Sequence, residues 1–101
     1  MSFARLGFAA MPWSAGGHPL ERKKAAAHGA TLLEFAAGFA DPAWCERGHV
    51  GYVLAGTLHV ELEGGAETVA AGEGFALDPG TRHRASNPGA EPVRLFIVTR
   101  D

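Results

Sequence analysis

The stretch AGEGFALDPGTRHRASN, residues 71–87, decides how this chain is read. Two short runs, GFALD and HRAS, flank the turn-forming segment PGTR. A run–turn–run unit of this length reads as two β-strands joined by a tight connection. The same rhythm extends to both sides. Before it come HVGYVL (49–54), TLHVEL (57–62) and AETVA (66–70); after it comes PVRLFIVT (92–99). Val, Ile, Phe, Tyr and Thr are concentrated in the runs, as half-buried pleated strands prefer. Gly (14) and Pro (6) fall between them as punctuation, which predicts an all-β barrel or sandwich.

The first half is read on weaker signals. LERKKAAAHGATLLEFAAGFA (20–40) has helix-forming composition, but Gly29 and Gly38 interrupt it and no clean apolar stripe runs through it. We read two strands here, 20–27 and 30–37, hinged at His28-Gly29. The basic residues Arg22, Lys23 and Lys24 are expected on a solvated face. Residues 11–19 read as loop. There is no internal repeat and no linker, so one domain is expected over 1–101, with an N-terminal strand and loop in 1–19 and a barrel in 20–101.

Composition bounds the function. The chain has 101 residues, 47% of them hydrophobic and 20% charged, enough apolar surface for a core and too much for disorder. Nine basic against eleven acidic residues give a net charge of -2, which argues against a nucleic-acid partner. No apolar run reaches the roughly 18 residues of a membrane span, and the opening MSFARLGFAAM lacks the layout of a signal peptide. One cysteine, Cys45, excludes an intrachain disulfide, and a reducing, cytoplasmic setting is expected.

Strand periodicity assigns faces. Within 57–63, Leu58, Val60 and Leu62 share the core face, while Thr57, His59, Glu61 and Glu63 share the other. If Ala55-Gly56 is a two-residue hairpin turn, residue 53 pairs with 58 and 49 with 62. His49 then lies inside with Val53, Leu58, Val60 and Leu62. If Gly56 instead forms a bulge, the register moves by one and His49 joins His59 and Glu61.

Residues 72–87 fit the spacing G-x5-P-x-G-x2-H-x3-N at Gly72, Gly80, His83 and Asn87, with Asp78 at the proline position and Pro79 just beyond. In this the chain resembles the cupin domain, a small double-stranded β-helix or jelly-roll barrel. The family's first motif, G-x5-H-x-H-x3-4-E-x6-G, is matched at Gly56, with Gly38 one residue off the first glycine. Counting back from Gly56, His49 stands at the usual glutamate, Cys45 at the second histidine and Ala43 at the first. The resemblance spans about residues 30–99.

The resemblance implies one divalent metal ion (Zn, Fe, Ni, Mn or Cu) inside the barrel, with His49, His83 and Cys45 as ligands. Imidazole suits these metals and a thiolate favours the softer ones. Glu46 or a water is a candidate to complete the shell. Trp44, Val53, Leu58, Val60, Leu62 and Phe75 are expected to line the pocket, with Trp44 at its mouth. Arg82 and Arg84 alternate with His83 and should point away from it; at the mouth, either would hold a carboxylate. His18, His28 and His59 are expected at the surface. A homodimer is expected, as the family pairs protomers through N-terminal strands, with residues 3–10 contributing. Two functions are carried: a metal-dependent protein acting on a small organic molecule, and a non-catalytic, metal-free small-molecule binder or sensor.

Overall fold

His28 and Gly29 both take positive φ, 64° and 73°, and reverse the chain between two antiparallel strands. In the computed structural model, which describes residues 2–100, β2 (Glu21–Ala25) and β3 (Ala30–Phe35) pair from Glu21↔Phe35 to Ala25↔Thr31. The hinge read from the sequence is therefore where the structure turns. The remaining strands are β1 (Ser14–Ala15), β4 (Gly48–Ala55), β5 (Thr57–Leu62), β6 (Gly65–Ala70), β7 (Gly74–Leu77), β8 (His83–Ser86) and β9 (Val93–Arg100). Each apolar run from residue 49 onward has become one strand.

The strands form two antiparallel sheets, β1-β2-β3-β9-β4-β7 and β6-β5-β8, giving the jelly-roll fold expected. β9 lies between β3 and β4, where its inward residues Val93 and Leu95 are buried. From the opposite sheet, Leu58 and Val60 of β5 project into the same interior. Phe35 and Phe39 stack there with ring centroids 4.0 Å apart. Val53 and Leu58 are fully buried, which contributes about 1.5–3 kcal/mol each relative to exposure. No helix among the described residues is long and apolar enough to cross a membrane.

The hairpin expected over 49–63 does not form. β4 pairs with β7 and β9, while β5 pairs with β6 and β8, so the two strands lie in different sheets and neither register applies. The cause is local. A register shift between Val53 and Ala55 bends β4 against β9, and Gly56 then takes φ 76°. A Cβ at Gly56 would meet the Pro92 carbonyl oxygen at 2.5 Å, so the chain passes too close to β9 for any side chain. The face assignment survives, because pleat alternation alone sets it: Gly51 and Val53 are buried and Val50, Tyr52 and Leu54 are exposed.

Residues 8–10 form a 3-10 turn, and the short strand Ser14–Ala15 lies within 11–19, the segment read as loop. Trp13 lies beneath the cations of Arg22, Lys24 and Arg94, at 4.3, 4.9 and 5.5 Å. Glu34 bridges Arg22 and Arg94 at 2.7 and 2.6 Å. The Arg22 hydrogen bond, helped by Arg94, holds its carboxyl below the ordinary value despite partial burial. Asn87 is buried at the end of β8. Its Nδ2 donates to the carbonyls of Phe35 and Glu91, and its Oδ1 accepts from the Gly89 amide.

Candidate functional site

His83 opens β8 and is 5% exposed. Its Nδ1 lies 2.8 Å from the Thr81 carbonyl oxygen. A carbonyl only accepts, so in the neutral ring Nδ1 carries the proton and Nε2 presents its lone pair. A backbone carbonyl holding one imidazole nitrogen in this way is how metal-ligating histidines are commonly oriented.

Cys45 lies outside the named strands but forms an isolated antiparallel bridge with His83. The two residues exchange backbone hydrogen bonds of 2.7 and 2.9 Å. Directly opposed residues of such a pair project their side chains to the same side. His49 comes from β4 in the other sheet, opposite Thr99 of β9, whose Oγ1 is 3.3 Å from His49 Nδ1. The His49 and His83 rings meet edge to face with centroids 5.4 Å apart.

One ligand atom from each of Cys45, His49 and His83 lies within 4.8 Å of the others. A first-row metal holds sulfur at about 2.3 Å and nitrogen at about 2.0–2.1 Å, so small side-chain adjustments bring these atoms to one centre. Soft sulfur with two imidazole nitrogens is a donor set suited to Zn, Cu or Fe. Glu46 is exposed and stands outside the group. Three protein donors leave a coordination position for water or another ligand.

The trio borders a cavity of about 360 Å³. Leu58, Val60 and Phe75 line it, together with Leu33, Leu77, Leu95 and Ile97. Val53 and Leu62 do not: Val53 is sealed in the core and Leu62 packs against that core beside the cavity. Trp44 does not line the cavity either. It alternates with Cys45 and so faces outward, against the guanidiniums of Arg82 and Arg84 at 4.8 and 4.5 Å. Arg84 also pairs with Glu61, so these arginines point away from His83 and are not at the mouth.

Four charged residues on the cavity wall were missed from sequence: Glu21, Lys23, Asp41 and Arg47. Lys23 was read as part of a solvated basic run. The available signal was the two-residue period of β2, which puts Glu21 and Lys23 on one face and Arg22 and Lys24 on the other. His59 is on the outward face of β5 and His28 is exposed, as expected; His18 is half-buried, edge-on to Phe39 at 5.1 Å.

Residues 33–99 match the family model of the cupin domain. Among solved structures, KdgF from Halomonas sp. is similar at 22% identity and TM-score 0.74, covering 92% of this chain and 91% of its own. A sugar phosphate isomerase of the cupin superfamily from Silicibacter pomeroyi has TM-score 0.74 and 16% identity, covering 97% of this chain and 76% of its own. A predicted oxalate decarboxylase from Thermotoga maritima has TM-score 0.61 and 18% identity, covering 69% and 63%. None of the curated proteins matches the sequence. At these identities the structural likeness establishes the fold alone.

Proposed function

Since the chain belongs to the cupin family, we propose that it binds a divalent metal ion at Cys45, His49 and His83 and acts on a small organic molecule held in the cavity beside them. The observation that carries this reading is the convergence of the three donor atoms within 4.8 Å at the cavity wall. When bound, the ion supplies Lewis acidity that polarises an oxygen of the substrate. The remaining work falls to the chain. Thr81 fixes the His83 tautomer and so aims Nε2. Phe75, Leu58 and Val60 give the cavity an apolar wall that excludes water and strengthens the electrostatics within it. Ala43, at the position of the family's first histidine, also borders the cavity. Its methyl group offers no ligand, which leaves room and an open coordination position for substrate.

The names of the sugar phosphate isomerase and the predicted oxalate decarboxylase refer to small, oxygen-rich molecules, which supports a substrate of that size here. Among Zn, Fe, Ni, Mn and Cu, the thiolate disfavours Mn. A thiol ligand must stay reduced, which fits a cytoplasmic setting. We also propose a homodimer. Val50, Tyr52 and Leu54 are exposed together on the outer face of β4, where a second copy would cover them.

The second reading, a metal-free small-molecule binder or sensor, is favoured by one observation: the group contains three donors and no carboxylate. Metal content of His49→Ala, His83→Ala and His59→Ala decides between the two. The proposal expects the first two to lose the ion while keeping the fold, and His59→Ala to retain it. Equal retention in all three, or equal loss, would overturn it.

A further inference from the structure

We propose that Lys23 is the substrate-recognition residue of this cavity, pairing with a carboxylate on the molecule that the metal site acts on. The substrate class is then a small hydroxy or oxo acid, with its carboxylate at Lys23 and an oxygen donor toward Cys45, His49 and His83. This deepens the proposed function and rests on its reading of the cavity as a substrate site.

The argument begins with strand geometry. Lys23 pairs with Leu33 of β3 and Leu33 with Leu95 of β9, and all three line the cavity. Lys23 is half-buried. Its neighbours Arg22 and Lys24 face the other way and are engaged, Arg22 with Glu34 and Lys24 with the Phe8 carbonyl. Lys23 has no hydrogen-bond or ion-pair partner among the described residues.

The carboxylates on the same wall are held by backbone amides and not by Lys23. Glu21 Oε1 accepts the Gly17 amide at 2.8 Å, and Asp41 Oδ2 accepts the Ala85 amide at 2.8 Å. Lys23 therefore presents an unpaired ammonium at the cavity wall, and an anionic ligand supplies the partner it lacks. The cavity, about 360 Å³, is at the lower end of the range for small-molecule sites, so the acid must be small.

Calorimetric titration tests this with three acids against polyols of the same carbon number: glycolate against ethylene glycol, malate against 1,2,4-butanetriol, and gluconate against sorbitol. Each is titrated into zinc-supplemented and metal-free protein. At least one acid is expected to bind, with its polyol ten-fold or more weaker. Lys23→Met should weaken that acid by about ten- to hundred-fold and abolish the preference over the polyol. Lys23→Arg should keep it, and both variants should keep the wild-type melting temperature and metal content. The proposal is overturned if no acid binds, if acids and polyols bind alike, or if Lys23→Met binds the acid as wild type does. Metal content is read separately, so protein that refuses metal but prefers acids through Lys23 would sink the metal reading and leave the role of Lys23 standing.

Discussion

Cys45 and His83 face each other across an antiparallel bridge, exchanging backbone hydrogen bonds of 2.7 and 2.9 Å. That exchange fixes thiol and imidazole on one side of the bridge before either side chain does anything. Backbone pairing therefore preorganises two of the three donors, and His49 supplies the third from the facing sheet.

Cobalt reports on the sulfur directly. In protein loaded with Co(II), a thiolate-to-cobalt charge-transfer band is expected in the near ultraviolet. Cys45→Ser should remove the band and weaken metal affinity by at least about 10- to 100-fold, the loss on removing groups that merely support metal ligands. An unchanged spectrum in Cys45→Ser would place the thiol outside the coordination shell.

Gly51 is the inward position of β4 between His49 and Val53, and a Cβ there would meet the Phe75 ring at 2.5 Å and Ile97 at 3.0 Å. Gly51→Ala is therefore expected to displace Phe75 and cost about 1–3 kcal/mol by overpacking. Phe75→Leu in the same chain should recover part of that loss, a coupling that urea denaturation of the double-mutant cycle measures.

Glu34 gives the fold an acid-dependent contribution. Its folded-state pKa is held below the ordinary carboxylate value, chiefly by the Arg22 hydrogen bond. A lowered carboxylate pKa stabilises the fold above the unfolded value, and that stability is lost as pH falls through the folded one. Glu34→Gln should thus be less stable than wild type at pH 7, by about 0.5–1 kcal/mol for partly exposed pairs. The two melting temperatures should converge as pH falls below 4.5. A gap that persists undiminished in acid would show that the ion pairs are not its source.

Asn87 fits the family spacing but stands outside the Cys45, His49 and His83 group. It is 1% exposed and closes the loop after β8 through three hydrogen bonds. Asn87→Ala should lower unfolding free energy by about 1–3 kcal/mol, the cost of orphaned buried partners, while metal stoichiometry of the folded protein stays unchanged. Loss of metal without loss of stability would contradict this division of roles.

Strand periodicity made most of the barrel legible. Alternation placed Leu58 and Val60 inward and His59 outward, and the turn at His28-Gly29 was visible in a segment whose composition favours helix. Sheet membership was not legible. Consecutive strands separated by Ala55-Gly56 look like a hairpin, and only the close approach of Gly56 to Pro92, a long-range contact, sends β5 into the other sheet. The trio was read from motif spacing, because Cys45 pairs with a residue far along the chain and carries no local signal. Lys23 was hidden for a different reason: a run of three cations looks solvated until the strand pairing separates its two faces.

Metal content per protomer, by elemental analysis of untagged protein purified without chelator, tests the central claim most directly. The account predicts close to one equivalent of Zn, Fe, Ni or Cu, released as pH falls and the imidazole and thiolate ligands take up protons. Protein that is metal-free as purified and also refuses added metal would contradict it, and the cavity would then belong to a binder without a metal centre.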